Sequence, residues 1–100
     1  MLALITGASS GIGRDIARVL SEKGYDLILV ARRENRLAEL KNELNTNAEI
    51  FTADLTKEAE CLKLCSYAEK LDIDILVNNG LNSLKRSLQI KFPMSHQTHF

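Results

Sequence analysis

The residues best suited to chemistry stand at the start of the chain, in the stretch Thr6-Gly7-Ala8-Ser9-Ser10-Gly11-Ile12-Gly13. Three glycines follow the apolar run Leu2-Ala3-Leu4-Ile5 and precede a segment with helical spacing, so they fall where a strand turns into a helix. Glycine tolerates positive φ and lets a ligand approach the backbone. The unpaired N–H groups and positive dipole end of the helix that follows favour an anion. The chemistry implied is the holding of a nucleotide phosphate. The spacing G-x-x-x-G-x-G departs from G-x-G-x-x-G, and Arg14 stands where a P-loop would continue with Lys-Ser or Lys-Thr. A turn that merely packs helix on strand would use fewer constraints than this context supplies. Ser9 and Ser10 each fit two roles, a hydroxyl offered to phosphate or a helix cap.

The elements that must position this loop follow from periodicity. Ile12, Ile16, Val19 and Leu20 recur at i, i+4, i+7 and i+8 and predict a helix ended by Gly24. Leu27-Ile28-Leu29-Val30-Ala31 is continuously apolar, as in a parallel strand covered on both faces. Leu37, Leu40 and Leu44 mark a second helix, closed by Asn45-Thr46-Asn47. Ala48 to Ala53 reads as a third strand, Lys57 to Lys70 as a third helix with Leu62, Cys65 and Ala68 or Tyr67 inward, and Ile73 to Val77 as a fourth strand. The alternation predicts an α/β, Rossmann-type doubly wound parallel sheet of about four strands and three helices, a partial version of that fold. With the first strand central, ligand binds beyond the carboxyl ends of the strands, where the glycine loop lies.

Composition sets the bounds. One hundred residues make one domain, 45% hydrophobic and 26% charged, with balanced net charge. That balance argues against nucleic acid or a membrane surface as a partner. No apolar run reaches the length of a membrane span. The chain enters a strand with no basic leader, so the cytoplasm is the expected compartment. Cys61 and Cys65 are read as buried thiols, since an i, i+4 pair within a helix is poorly aimed for a disulfide. His96 and His99 lack the third ligand a metal would need. Residues 81–100 carry Lys85, Arg86 and Lys91 with no acid, together with both histidines and the only proline. We therefore expect a nucleotide-binding half-domain over residues 1–80 and an atypical tail over 81–100. Such an abrupt change is what a shifted reading frame or false gene end would produce.

Thr6 to Gly13 matches the cofactor loop T-G-x-x-x-G-[IL]-G of the short-chain dehydrogenase/reductase family at every specified position, and the chain resembles that family in two further motifs. Asp54-Leu55 resembles the acidic position after the third strand that contacts adenine, with a turn before Thr56 as the alternative role for Asp54. Asn78-Asn79-Gly80 resembles the N-N-A-G motif that ends the fourth strand and lines the cofactor site. The resemblance covers residues 1–80 and implies a nicotinamide dinucleotide. It assigns cofactor contacts to Gly7, Ser9, Ser10, Gly11, Ile12, Gly13, Asp54, Leu55, Asn78 and Gly80. After the second strand an acid would bond the ribose 2′-hydroxyl, whereas an arginine would pair with a 2′-phosphate. Arg32 and Arg33 occupy that place, and Asp26 lies too early, at the start of the strand. Cations near a helix N-terminus are disfavoured, so a phosphate partner explains the arginines better than a solvated helix face. The cofactor expected is NADP rather than NAD, with Arg32 the first ligand and Arg33 the second.

The family's proton donor, a Y-x-x-x-K motif, is absent: Leu29 stands four residues after Tyr25 and Leu71 four after Tyr67. The sequence thus reads as the cofactor-binding half of a short-chain oxidoreductase, truncated before its catalytic residues and inactive alone. The competing reading is a non-catalytic module that binds dinucleotide or a partner chain. An open edge along residues 73–77 would favour self-association.

Overall fold

A computed structural model describes residues 1–78 and 97–99. In chain order they form β1 (Leu2–Thr6), α1 (Gly11–Glu22), β2 (Asp26–Ala31), α2 (Glu34–Glu43), β3 (Ala48–Thr52), α3 (Glu58–Glu69), β4 (Ile75–Asn78) and β5 (Gln97–His99). The strands make one parallel sheet in the order β3-β2-β1-β4-β5. β1 is central, and the direction in which successive strands are added reverses between β1 and β4. Alternate strand residues serve two cores. Ala3, Ile5, Leu27, Leu29 and Val77 pack with Ala17 of α1 and Leu37 and Leu40 of α2 on one face. Leu4, Ile28, Val30 and Leu76 pack with Cys61, Leu64, Cys65 and Ala68 of α3 on the other. Strands covered on both faces have no polar alternation to display, which is why β2 is apolar from Leu27 to Ala31. Full burial of residues such as Leu4, Ile28 and Leu29 contributes roughly 1.5–3 kcal/mol each.

Helix α1 does not bury the stripe its large residues mark. Ile12 is 58% and Val19 49% exposed, and the buried positions are Gly13, Ala17 and Ser21. These small residues recur every fourth position and bring the helix axis close to the sheet, while Ile16 and Leu20 pack at its flanks. Ser21 is buried yet satisfied. Thr46 donates its hydroxyl proton to the Tyr25 carbonyl at 2.6 Å, so the 2.8 Å contact between Ser21 and Thr46 is a bond donated by Ser21. The helix ends as Gly24 predicted: that residue has φ 91°, its N–H bonds the Ser21 carbonyl, and Tyr25 N–H bonds that of Leu20. This pairing of 5→2 and 6→1 bonds satisfies the last carbonyls of the helix. In α3, Leu62 is 49% exposed and Leu64 is buried in its place. Cys61 and Cys65 are buried and form no disulfide.

The expectation of an open edge on the fourth strand fails over Leu76–Asn78, which pair with Gln97–His99 of β5. An apolar strand leaves a row of unpaired N–H and C=O groups, and a later segment of the same chain meets them. The region read as an atypical tail thus contributes a strand to the sheet, which no periodicity in its sequence announces. No helix among the described residues is long and apolar enough to cross a membrane.

Candidate functional site

β1, β2 and β3 run parallel with Thr6 opposite Val30 and Ala31 opposite Thr52, so their carboxyl ends open on the same side. Above them lies a cleft of about 300 Å³, lined by Gly7, Ser9, Ser10, Val30, Ala31, Arg32, Ala53, Asp54, Leu55 and Thr56. Parallel sheets place ligands in such crevices, beyond the strand ends and beside the switch in strand order.

The glycine loop forms one side. Gly7 takes φ 65° and turns the chain out of β1, after which Ala8 N–H bonds the Val30 carbonyl at 3.1 Å and holds the loop to β2. Ser10 is the N-cap of α1: its hydroxyl accepts from Gly13 N–H at 3.2 Å and donates to the Gly7 carbonyl at 2.9 Å. The two serines, equivalent in the sequence, are thereby separated. Ser10 is engaged in capping, and Ser9 lines the cleft without a cap bond. Gly11 opens the helix, and a Cβ built on it would meet no atom within 4 Å beyond its chain neighbours and its own turn of helix. Neither packing nor backbone conformation within the fold calls for glycine there, since only Gly7 and Gly24 have positive φ among the described residues. Open space over the first turn of a helix suits a phosphate group drawn close to the backbone. The residues present fit the dinucleotide that the motif implies.

Arg32 follows β2 and lines the cleft, exposed and without a hydrogen bond or ion pair among the described residues. Arg33 sits at the N-cap position of α2, makes no side-chain cap bond and is not part of the lining. Asp26 is at the opposite end of β2, where its carboxylate accepts from Asn47 N–H. Asp54 holds a tight turn: its Oδ1 accepts from Thr56 Oγ1 at 2.6 Å and Thr56 N at 3.1 Å. These bonds, the hydroxyl first and the amide second, hold its carboxyl below the ordinary aspartate range, with help from the positive charges of Arg32 and Lys57 and against partial desolvation. Such a depressed group contributes in full above the unfolded aspartate value of about 3.9 and loses that contribution as pH falls from there through its own lower value in the folded chain. Acid titration of the Thr56 amide by NMR is therefore expected to show the turn opening only below the pH at which a free aspartate protonates, about 3.9; a Thr56 resonance moving with its midpoint at or above that value would contradict it.

Of the remaining expected residues, Leu55 lines the cleft, Ile12 is exposed on the first turn of α1 and Gly13 is buried against the sheet. Asn78 pairs through its backbone between Thr6 and His99, and Gly80 lies outside the described residues. Val30, Ala31, Ala53 and Thr56 also line the cleft although no motif marked them. Taking the last residues of each strand and the first of each loop would have found them. No group of three or more His, Cys, Asp or Glu residues able to hold a metal occurs among the described residues.

Comparison with known proteins decides the family. The model of the short chain dehydrogenase family matches residues 1–93. The chain belongs to the short-chain dehydrogenase family. An uncharacterized oxidoreductase of Staphylococcus epidermidis is 40% identical over 91 residues, covering 87% of the chain and 39% of that protein. The NADP-dependent 3-hydroxy acid dehydrogenase YdfG of Escherichia coli is 41% identical over 82 residues, covering 80% of the chain and 33% of the relative. Among solved structures, a short-chain dehydrogenase from Sphingobium yanoikuyae in complex with NADPH superposes with a TM-score of 0.69 at 40% identity, over 76% of this chain and 32% of that one. The chain spans 32–39% of the length of these relatives. The match to the short-chain dehydrogenase model also passes residue 80, where the motifs legible by eye stop.

Proposed function

We propose that the chain is the NADP(H)-binding part of a short-chain oxidoreductase whose reaction is hydride transfer between nicotinamide and a carbonyl or alcohol. The observation that carries the reading is the presence of Arg32, with no hydrogen bond or ion pair among the described residues, in the same cleft as Gly7 and Ser9. Two phosphate-binding devices share one cavity: amides at a helix N-terminus, and a guanidinium fork at the end of the next strand. Ser9 and the first turn of α1 hold the diphosphate, Arg32 pairs with the 2′-phosphate, and Asp54 with Leu55 bounds the adenine. Arg33 is the weaker second ligand. YdfG, named as NADP-dependent, and the Sphingobium neighbour, described with NADPH, support the phosphorylated cofactor.

The cofactor supplies or accepts the hydride; the chain's own residues bind and orient it. The sequence holds no Tyr-x-x-x-Lys, so no side chain is assigned to move the proton at the substrate oxygen, and binding without turnover is the expected behaviour. Fluorescence titration of the purified chain with NADPH and NADH tests this. Saturable NADPH binding, tighter than NADH and without turnover over a panel of carbonyl compounds, is the expected result. Equal binding of both would remove the 2′-phosphate assignment, and binding of neither would remove the nucleotide reading.

A further inference from the structure

The wall of the cleft opposite the glycine loop is Ala53-Asp54-Leu55-Thr56, a connection outside any regular element. Its hydrogen bonds show what holds it. Ala53 N–H bonds the Ala31 carbonyl at 2.9 Å and is the last to follow the β2–β3 ladder. Asp54 N–H, one residue on, bonds Oε1 of Glu60 at 2.9 Å, and this contact is partly buried. Glu60 lies in the first turn of α3, three residues after the N-cap position, which Lys57 fills without a capping side chain. A carboxylate at this helical position commonly turns back to an amide near the N-cap and is favoured by the helix dipole. Here it reaches back to Asp54, past the turn that Asp54 itself closes on Thr56.

We infer that Glu60 is a positioning residue for the adenosine end of the cofactor: by holding the Asp54 amide it sets the distance between the 53–56 wall and Arg32. The inference rests on the proposed NADP(H)-binding reading. Glu60 does not line the cleft, so it acts through Asp54 and Thr56. The feature that matters is an acceptor at the reach of a three-carbon side chain, one methylene longer than aspartate. Lys57 Nζ stands 4.0 Å from Oε2, so the second oxygen is only loosely engaged and its charge is secondary.

Three variants of the full chain separate this role from bulk stability. Glu60→Gln keeps the acceptor and is expected to bind NADPH within about twofold of the parent, while Glu60→Asp, too short to reach, and Glu60→Ala weaken it about tenfold, the loss of one hydrogen bond to a charged acceptor. The same factors should appear with 2′,5′-ADP, a probe that carries only the adenosine end. Affinities are read at a temperature where circular dichroism shows each variant folded, with thermal midpoints measured alongside. If Glu60→Ala or Glu60→Asp lowers the midpoint but binds both probes as the parent does, Glu60 is a stabilising contact only and the inference is overturned. If Glu60→Gln loses as much as Glu60→Asp, charge rather than reach is at work, which also overturns it. Should Glu60→Ala not fold, the Gln and Asp pair still decides. A parent chain that binds neither probe refutes the NADP(H) reading itself, a result distinct from all of these.

Discussion

Replacing Arg32 by alanine is expected to weaken NADPH binding by about ten- to a hundredfold while leaving NADH within about twofold, the loss of a hydrogen bond between charged groups being worth roughly 1.5–3 kcal/mol. The side chain is exposed, lines the cleft and has no hydrogen-bond or ion-pair partner among the described residues. Its removal therefore leaves no buried acceptor behind, and the thermal midpoint should stay unchanged. Arg32→Lys should recover only part of the affinity, because a point charge cannot reproduce two parallel bonds to phosphate. Arg33→Ala should have the smaller effect, since Arg33 is outside the lining. Parallel titrations with both cofactors check this, and equal losses for NADPH and NADH in Arg32→Ala would refute the assignment.

The second large effect separates two glycines of one motif. Gly11→Ala is expected to leave stability the same or slightly higher, yet to weaken NADPH binding about tenfold or more, because the methyl group occupies the space where the ligand meets the backbone. Nothing else in the fold resists that methyl, since no atom beyond its chain neighbours and its own turn of helix lies within 4 Å of its position. Gly7→Ala should act on the fold instead. With φ at 65°, an L side chain there is strained by roughly 1–2 kcal/mol. Denaturant midpoints and NADPH titrations on the two variants test both halves: a destabilised Gly11→Ala, or one that binds as the parent does, would show that the open space over α1 is not the phosphate site.

Sequence and tertiary structure contributed different parts of this picture. The parallel α/β alternation was legible because β1 and the Leu27–Ala31 run of β2 are apolar on both faces and the helices are punctuated by Gly24 and by Asn45 to Asn47. Family membership was legible in Thr6 to Gly13, where each specified residue answers to a local backbone or ligand demand. Helix facing was misread in two places. Large residues dominate a hydrophobic pattern, so Ile12 and Val19 appeared to define the inner face of α1, whereas close approach to the sheet selects Gly13, Ala17 and Ser21. In α3 the same bias favoured Leu62 over Leu64.

The 100 residues by themselves determined the element order from β1 to β4, the phosphate loop and the two arginines after β2, because these depend on neighbours a few positions apart. Only the tertiary structure decided which serine caps α1, that Arg32 rather than Arg33 enters the cleft, that β5 covers the edge of β4, and that Glu60 secures Asp54. Each of these turns on the direction of a side chain or on a pairing across the sheet, and such relations are fixed by packing in three dimensions.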